Sequence, residues 1–256
     1  MNEPANPSWD DAVKRSQALM KAPEIKRFYV KAEVGAADGG FALLLDGRVT
    51  RTPAKAKLIA PARALAEAIA AEWRAQGETI QPAAMPLTRL ANTALDGVAM
   101  AMPETVAEIS GYAGTDLVCY RALEPEALAA RQAAAFDPVL AFAEAAFGAR
   151  FALAGGILHV PQPEASLKAV RAAVEALAEP FALTALHALT SLSGSALIAL
   201  MVAHDAATAE AAWQAAHVDE DFQIEAWGAD DEAMRRREAR FRDFAAAAFA
   251  IRALRT

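Results

Sequence analysis

The 256-residue sequence contains one cysteine, Cys119, and no long uninterrupted apolar run. A single cysteine excludes an internal disulfide framework and is typical of a reducing cytosol. The most apolar segment, 181–203, carries threonines, serines and a histidine, so we interpret it as a buried helix and expect no membrane insertion. The N-terminus is acidic and lacks an apolar core, unlike a secretory signal or a mitochondrial transit peptide. We therefore expect a cytoplasmic protein.

Basic residues are in the minority: 25 Lys and Arg stand against 32 Asp and Glu, and the formal net charge is −7. An acidic chain repels phosphate backbones, so we expect no nucleic-acid partner. No two histidines have the spacing i,i+3 or i,i+4 that would place two metal ligands on one helix face. The single pair His204-Asp205 does not make a metal site. Nucleotide-binding glycine motifs and the hydrolase motif G-x-S-x-G are absent too. The sequence therefore predicts no catalytic residues, no cofactor and no metal.

Alternating polarity marks the region from Arg27 to Ala60. Apolar side chains at Phe28, Val30, Ala32 and Val34 predict a half-buried strand with these side chains inward. Turn sequences at 38–40 and 46–47 then predict an antiparallel sheet. Helical spacing follows, and its apolar stripes predict two helices that cover one face of the sheet.

The remainder of the chain has helical periodicity, interrupted at 148–160 by a segment that resembles a hairpin. We predict an α+β fold: a small N-terminal antiparallel sheet with covering helices, followed by a mainly α-helical bundle domain. The predicted divisions are a peripheral arm at 1–24, the α/β domain at 25–100, and the helical domain at 101–256 with a hairpin near 150–160. Predicted helices in the last domain are 103–117, 125–136, 138–147, 164–178, 181–203, 208–226 and 230–254.

Two tryptophans mark the predicted helix 208–226. Helical spacing places Trp213, Glu220, Ile224 and Trp227 on one stripe, beside a second apolar stripe. If one stripe faces the core, the other presents tryptophans around a carboxylate, which is typical of protein-interface hot spots. The alternative is a helix buried on both sides, with Glu220 paired to an arginine.

A polar helix face offers a different function. Arg89 and Asn92 lie beside two threonines on the predicted helix after Pro86, where they either pair with neighbouring helices or line a pocket. An enzyme would place Arg89, Asn92 and Glu220 around an interdomain pocket that acts on a small anionic substrate. A third possibility is a structural subunit with a permanent homo-oligomer contact. The arginine-rich face of the C-terminal helix is typical of a solvated helix.

Several strings in order resemble one family. They are Arg27-Phe-Tyr29, Leu45-Asp-Gly-Arg48, Arg51-Thr-Pro-Ala-Lys55, Ala71-Glu-Trp-Arg-Ala-Gln76, Met85-Pro-Leu-Thr-Arg-Leu-Ala-Asn92, Thr115-Asp-Leu-Val-Cys-Tyr-Arg121, Leu192-Ser-Gly-Ser195 and Gln223-Ile-Glu-Ala-Trp-Gly228. Together they resemble the ATP synthase alpha-subunit assembly chaperones of mitochondria and alphaproteobacteria. Where many members have Trp-Asp-Pro, this chain has Phe136-Asp-Pro138.

The resemblance implies a small α/β domain followed by a helical domain, and a non-enzymatic function. It implies that the chain binds the free alpha subunit of ATP synthase on the surface that the beta subunit later occupies. It also implies an important acidic residue within 219–221, which we assign to Glu220 because it shares the tryptophan stripe. The predicted contacts are therefore Glu220, Trp227 and Trp213, with Gln223 secondary, on a chaperone that is monomeric when free.

Overall fold

The computed structural model describes residues 25–156 and 158–255; the predicted N-terminal arm lies outside them. Its principal sheet contains β2 (Ala32–Ala37), β3 (Gly40–Leu45), β4 (Arg48–Val49) and β5 (Ile59–Ala60). The order is antiparallel β2-β3-β4, and β5 also pairs with β3. Asp46 and Gly47 form the β3–β4 turn with φ values of 48° and 78°, so the predicted hairpin turn is confirmed.

The strand prediction for 28–34 was wrong for Phe28 and Val30, whereas Ala32 is buried and Val34 partly buried as predicted. Tyr29 is buried, whereas Phe28 and Val30 are 67% and 79% exposed. The reason is that regular pairing with β3 begins only at Ala32, and a contact outside the sheet orients the preceding residues. The Tyr29 hydroxyl donates a hydrogen bond of 2.6 Å to the carbonyl oxygen of Trp73, which draws the ring inward.

Two helices follow the sheet and lie against each other: α1 (Arg63–Arg74), which packs on β2, β3 and β5, and α2 (Pro86–Asp96), which packs on α1 and on the helical part of the chain. The predicted stripe of α1 is buried at Leu65, Ala66, Ile69 and Ala70. Between the helices, β6 (Thr79–Ile80) pairs with β1 (Ile25–Lys26). Thus α1 covers the sheet as predicted and does so through its apolar stripe, whereas the contacts of α2 are with α1 and the helical part of the chain.

The helical part contains eight further α-helices within the described residues. They are α3 (Met102–Gly111), α4 (Glu126–Phe147), α5 (Glu164–Glu175), α6 (Pro180–Ser193), α7 (Ala196–Ala203), α8 (Ala209–Ala216), α9 (Val218–Trp227) and α10 (Asp231–Ala253). Helix α6 is the centre of the bundle and contacts α2, α3, α7 and α10. The α+β fold class is therefore confirmed. Across the described part of the chain, the helices are too short or too polar to cross a membrane.

Four local predictions were wrong. Segment 125–147 is one helix with Pro138 inside it, whereas two were predicted. Segment 181–203 divides at Gly194, which adopts φ 71°, and segment 208–226 divides at His217. The expected hairpin near 150–160 is replaced by a short strand, β8 (Ala154–Gly155), which pairs in parallel with β7 (Tyr120–Arg121). The partner strand β7 is distant in sequence, so local periodicity does not predict this pairing.

Candidate functional site

Trp213 lies inside the protein, contrary to its predicted place on an exposed stripe. It is 6% exposed and contacts the rings of His217, Phe241 and Phe244. The break at His217 ends α8, so Trp213 and the residues of α9 do not share one helix face. Trp213 therefore packs in the core and is unavailable for contact with a partner.

Helix α9 presents the remaining predicted residues together. Glu220, Gln223, Ile224 and Trp227 follow the spacing i, i+3, i+4, i+7, which is one face of a helix. All four line a groove of about 540 Å³ between α9 and α10, which we call the α9–α10 groove. Trp227 is 88% exposed, and none of the ten residues of α9 is buried. The structure thus brings Glu220, Gln223 and Trp227 together at the surface.

The opposite wall of the groove was missed by sequence reasoning. It is formed by Met234, Arg236, Arg237 and Arg240 of α10. The turn at Gly228, with φ 91°, and the N-cap at Asp230 return the chain so that α10 lies beside α9. The Asp230 side chain accepts a hydrogen bond of 2.8 Å from the Ala233 amide. In the sequence, Gly228 and Asp230 indicate a turn followed by a helix start, but they do not indicate which faces of α9 and α10 meet.

Three of the four carboxylates on α9 attach the helix to its neighbours. Asp219 accepts a hydrogen bond of 2.7 Å from Gln132 of α4. Glu225 forms an ion pair of 2.6 Å with Arg131, also of α4, and this hydrogen bond lowers the pKa of Glu225. No residue of α9 is fully buried, so these polar contacts and the one described next hold the helix in place together with Val218, which is partly buried against the core.

The third attachment runs to α10, where Asp221 pairs with Arg237 at 2.5 Å. Glu220 differs from the other three carboxylates: it makes no hydrogen bond or ion pair with any side chain in the described residues. It is exposed beside Trp227 in the groove. The arginine pairing considered for Glu220 is therefore not present, and its carboxylate is free to bind a partner.

The residues of the enzyme hypothesis do not converge. Arg89 forms an ion pair with Asp243 of α10, and the side-chain oxygen of Asn92 is buried without a hydrogen-bond partner. Neither residue lines the groove that contains Glu220. The geometry therefore does not form the predicted site for a small anion.

The reactive groups of the interior are structural. Asp116 is fully buried, and its carboxylate accepts amide hydrogen bonds from Val118 and Leu197 at 3.3 and 3.1 Å. Desolvation raises the pKa of Asp116 to about 6. Desolvation likewise raises the pKa of Cys119 to about 12, which keeps the thiol protonated and unreactive. Within residues 25–156 and 158–255, no cluster of three potential metal ligands occurs.

Comparison with known proteins agrees with the geometry. A model of the ATP12 chaperone protein family matches residues 26–144. The crystal structure of Atu1473 from Agrobacterium tumefaciens, described as a chaperone candidate, shares 45% identity and a TM-score of 0.87; the alignment covers 96% of this chain and 92% of that one. Atp12 from Paracoccus denitrificans shares 40% identity and a TM-score of 0.84, over 90% of this chain and 98% of that one.

An aspartate-to-lysine mutant of the Paracoccus protein matches similarly, with 40% identity, a TM-score of 0.82, and coverage of 90% and 97%. These alignments extend over nearly the whole length of both chains. The chain belongs to the ATP12 chaperone family.

Proposed function

We propose that this chaperone binds the free alpha subunit of ATP synthase and shields its subunit interface until the beta subunit replaces it. The observation that carries the proposal is the exposed face of α9, where an unpaired carboxylate, Glu220, lies on the same stripe as the 88% exposed indole of Trp227. Family membership supports the chaperone class. The proposed action makes and breaks no covalent bond. We expect the free chaperone to be a monomer in the cytoplasm.

The chemistry of this face suits temporary binding. An unassembled subunit exposes apolar surface that aggregates unless it is covered. Aromatic residues supply large contact areas at interfaces, and a charge beside them adds specificity. The α9–α10 groove is formed by a single helix pair, whereas a permanent subunit interface buries about 2,000–5,000 Å². The native beta subunit would therefore displace the chaperone through a larger contact.

Binding of purified alpha subunit to immobilised chaperone tests the proposal. We expect Glu220→Lys and Trp227→Ala to weaken binding at least tenfold, and Gln223→Ala to weaken it less. Two controls match these changes. Glu238→Lys makes the same charge reversal at an exposed position of α10 outside the groove, and Phe28→Ala removes an exposed ring from the sheet domain.

Circular dichroism must show that every variant is folded. Undiminished binding by folded Glu220→Lys and Trp227→Ala would remove this face from the contact. A second assay follows release: adding beta subunit should dissociate the complex, whereas a complex that persists at saturating beta subunit would contradict the proposed exchange.

A further inference from the structure

The charges of the α9–α10 groove are unequally compensated. Arg236 pairs with Glu232 at 2.7 Å, and Arg237 pairs with Asp221. Arg240 donates a hydrogen bond of 3.1 Å to the carbonyl oxygen of Leu192. Two of the three arginines on this wall are therefore paired with carboxylates, and Arg240 has only a neutral carbonyl partner. Glu220 and Asp230, which also line the groove, form no ion pair in the described residues, so the net charge left for a ligand is negative.

The indole of Trp227 likewise has no arginine over its ring among the described residues. Five arginines in the described residues lie over aromatic rings, and these are Arg27, Arg63, Arg121, Arg131 and Arg240. None of them covers Trp227, although three arginines line the same groove. An exposed indole face attracts a cation, and the attraction increases when the contact excludes water.

Helix geometry places these two groups to act on one segment. Glu220 and Trp227 are seven residues apart, about 10 Å along the helix at 1.5 Å per residue. Ile224 lies between them, and Met234 faces it across the groove with 39% exposure. The surface between the carboxylate and the indole is thus apolar. A long basic side chain has the matching form, because it carries a charged end on an aliphatic stem.

On the basis of the proposed function, we propose that the α9–α10 groove binds a basic side chain of the partner subunit, arginine or lysine, flanked by apolar residues. Its cation pairs with the Glu220 carboxylate, and its stem lies across Ile224 and Met234 toward Trp227. An acidic segment does not fit, because it would meet Glu220 and Asp230, whereas Arg236 and Arg237 on the other wall are already paired with carboxylates.

The sign of the charge can be tested with the intact chain and purified alpha subunit. Affinity is measured at several salt concentrations for the wild-type protein and for Glu220→Asp, Glu220→Gln and Glu220→Lys. We expect Glu220→Asp to retain most of the affinity. Glu220→Gln should lose at least tenfold and show a weaker salt dependence, because one ion pair is gone. Glu238→Gln, which removes an exposed charge outside the groove, should match the wild-type protein.

Chemical protection identifies the side chain on the partner. The complex is treated with phenylglyoxal, which modifies arginine, or with acetic anhydride, which modifies lysine, and analysed by mass spectrometry. We expect one basic residue of the alpha subunit to be protected by the wild-type chaperone and modified when Glu220→Gln is present at saturating concentration. Changing that residue to glutamate should weaken binding to the wild-type chaperone and restore binding to Glu220→Lys.

The outcomes separate the two proposals. If the alpha subunit binds but neither affinity nor salt dependence changes in Glu220→Gln, and no basic residue is protected, the basic-side-chain inference is wrong and the proposed function stands. If the wild-type chaperone does not bind the alpha subunit at all, the proposed function fails and the inference fails with it.

Discussion

The imidazole of His217 lies against the indole of Trp213, with ring centroids 3.7 Å apart. The ring Nδ1 is 2.9 Å from the carbonyl oxygen of Trp213, so this nitrogen carries the proton. Phe241 and Phe244 of α10 contact the same indole. His217 is thus the residue at which α8 ends, α9 begins and α10 packs. Desolvation lowers the pKa of His217.

Acidification should therefore destabilise the protein through His217. Its pKa in the folded state lies below the value of about 6.5 in the unfolded chain, so the unfolded state binds a proton first. Stability is full above that value and falls as the pH drops below it. Urea denaturation at pH 7, 6 and 5 should show a smaller loss in His217→Gln than in the wild-type protein. Parallel pH profiles would contradict this role.

The two tryptophans of this region should differ in their effect on stability. Trp213 is 6% exposed among aromatic rings, and Trp227 is 88% exposed. Trp213→Ala should lower the free energy of unfolding by about 3–5 kcal/mol, because it leaves a cavity. Trp227→Ala should change it by less than ~0.5 kcal/mol, as expected at the surface. Urea denaturation of both variants is the measurement, and equal losses would refute the assignment of Trp227 to the surface.

Polar contacts should contribute to holding α9 on the bundle, beside the partly buried Val218. Arg131 pairs with Glu225 and also lies over the ring of Phe222, at 5.3 Å from its centroid. Arg131→Ala removes both contacts, and because the pair is exposed to solvent the effect on global stability should be small. Hydrogen exchange of the amides at 218–227 should accelerate up to about fivefold, with little change in global stability.

Arg171→Ala is the matched control for that experiment. It breaks an exposed i,i+4 pair with Glu175 on α5, a helix that does not contact α9. Exchange at 218–227 should be unaffected in this control. If both variants exchange alike at α9, Arg131 does not restrain the helix.

Sequence periodicity predicted the elements that bury a regular stripe and missed those that depend on a single break. The stripes of α1 and α2 were predicted correctly, because each runs through one helix, α1 against the sheet and α2 against α1 and α6. The stripe from Trp213 to Trp227 was not continuous, because His217 ends a helix without any glycine or proline to mark it. The predicted stripe from Glu220 to Trp227 is present in the structure, since it lies wholly within α9.

The pairing of α9 with its neighbours was beyond sequence reasoning for a different reason. Which of the acidic residues 219–221 is free depends on Gln132 of α4 and Arg237 of α10, and on the orientation in which α9 packs between them. Local spacing fixes the faces of a helix, but only tertiary packing decides which face meets a cation.

The side chain of Glu72, on α1, caps the N-terminus of α2. Its carboxylate accepts hydrogen bonds from the Leu87 and Thr88 amides at 2.7 and 2.8 Å, in the first turn of α2. These amides have no partner within their own helix. Glu72→Ala should therefore lower the free energy of unfolding by about 2 kcal/mol. Glu67→Ala, on the same helix, loses only an exposed contact of 3.6 Å with Arg74, and chemical denaturation should show almost no change.

The division between α6 and α7 depends on Gly194, which adopts φ 71°. A Cβ atom there would come no nearer than 4.0 Å to another side chain, so a methyl group adds no clash. The effect of Gly194→Ala should be the cost of a left-handed residue alone, a loss of about 1–2 kcal/mol. Gly111, at the end of α3, has the helical φ of −61° and open space around its Cβ position. Gly111→Ala should stabilise by about 0.4–1 kcal/mol, because alanine restricts the unfolded chain. Urea denaturation should therefore move the two midpoints in opposite directions. A shift of both in the same direction would mean that backbone conformation does not determine where the long apolar segment divides.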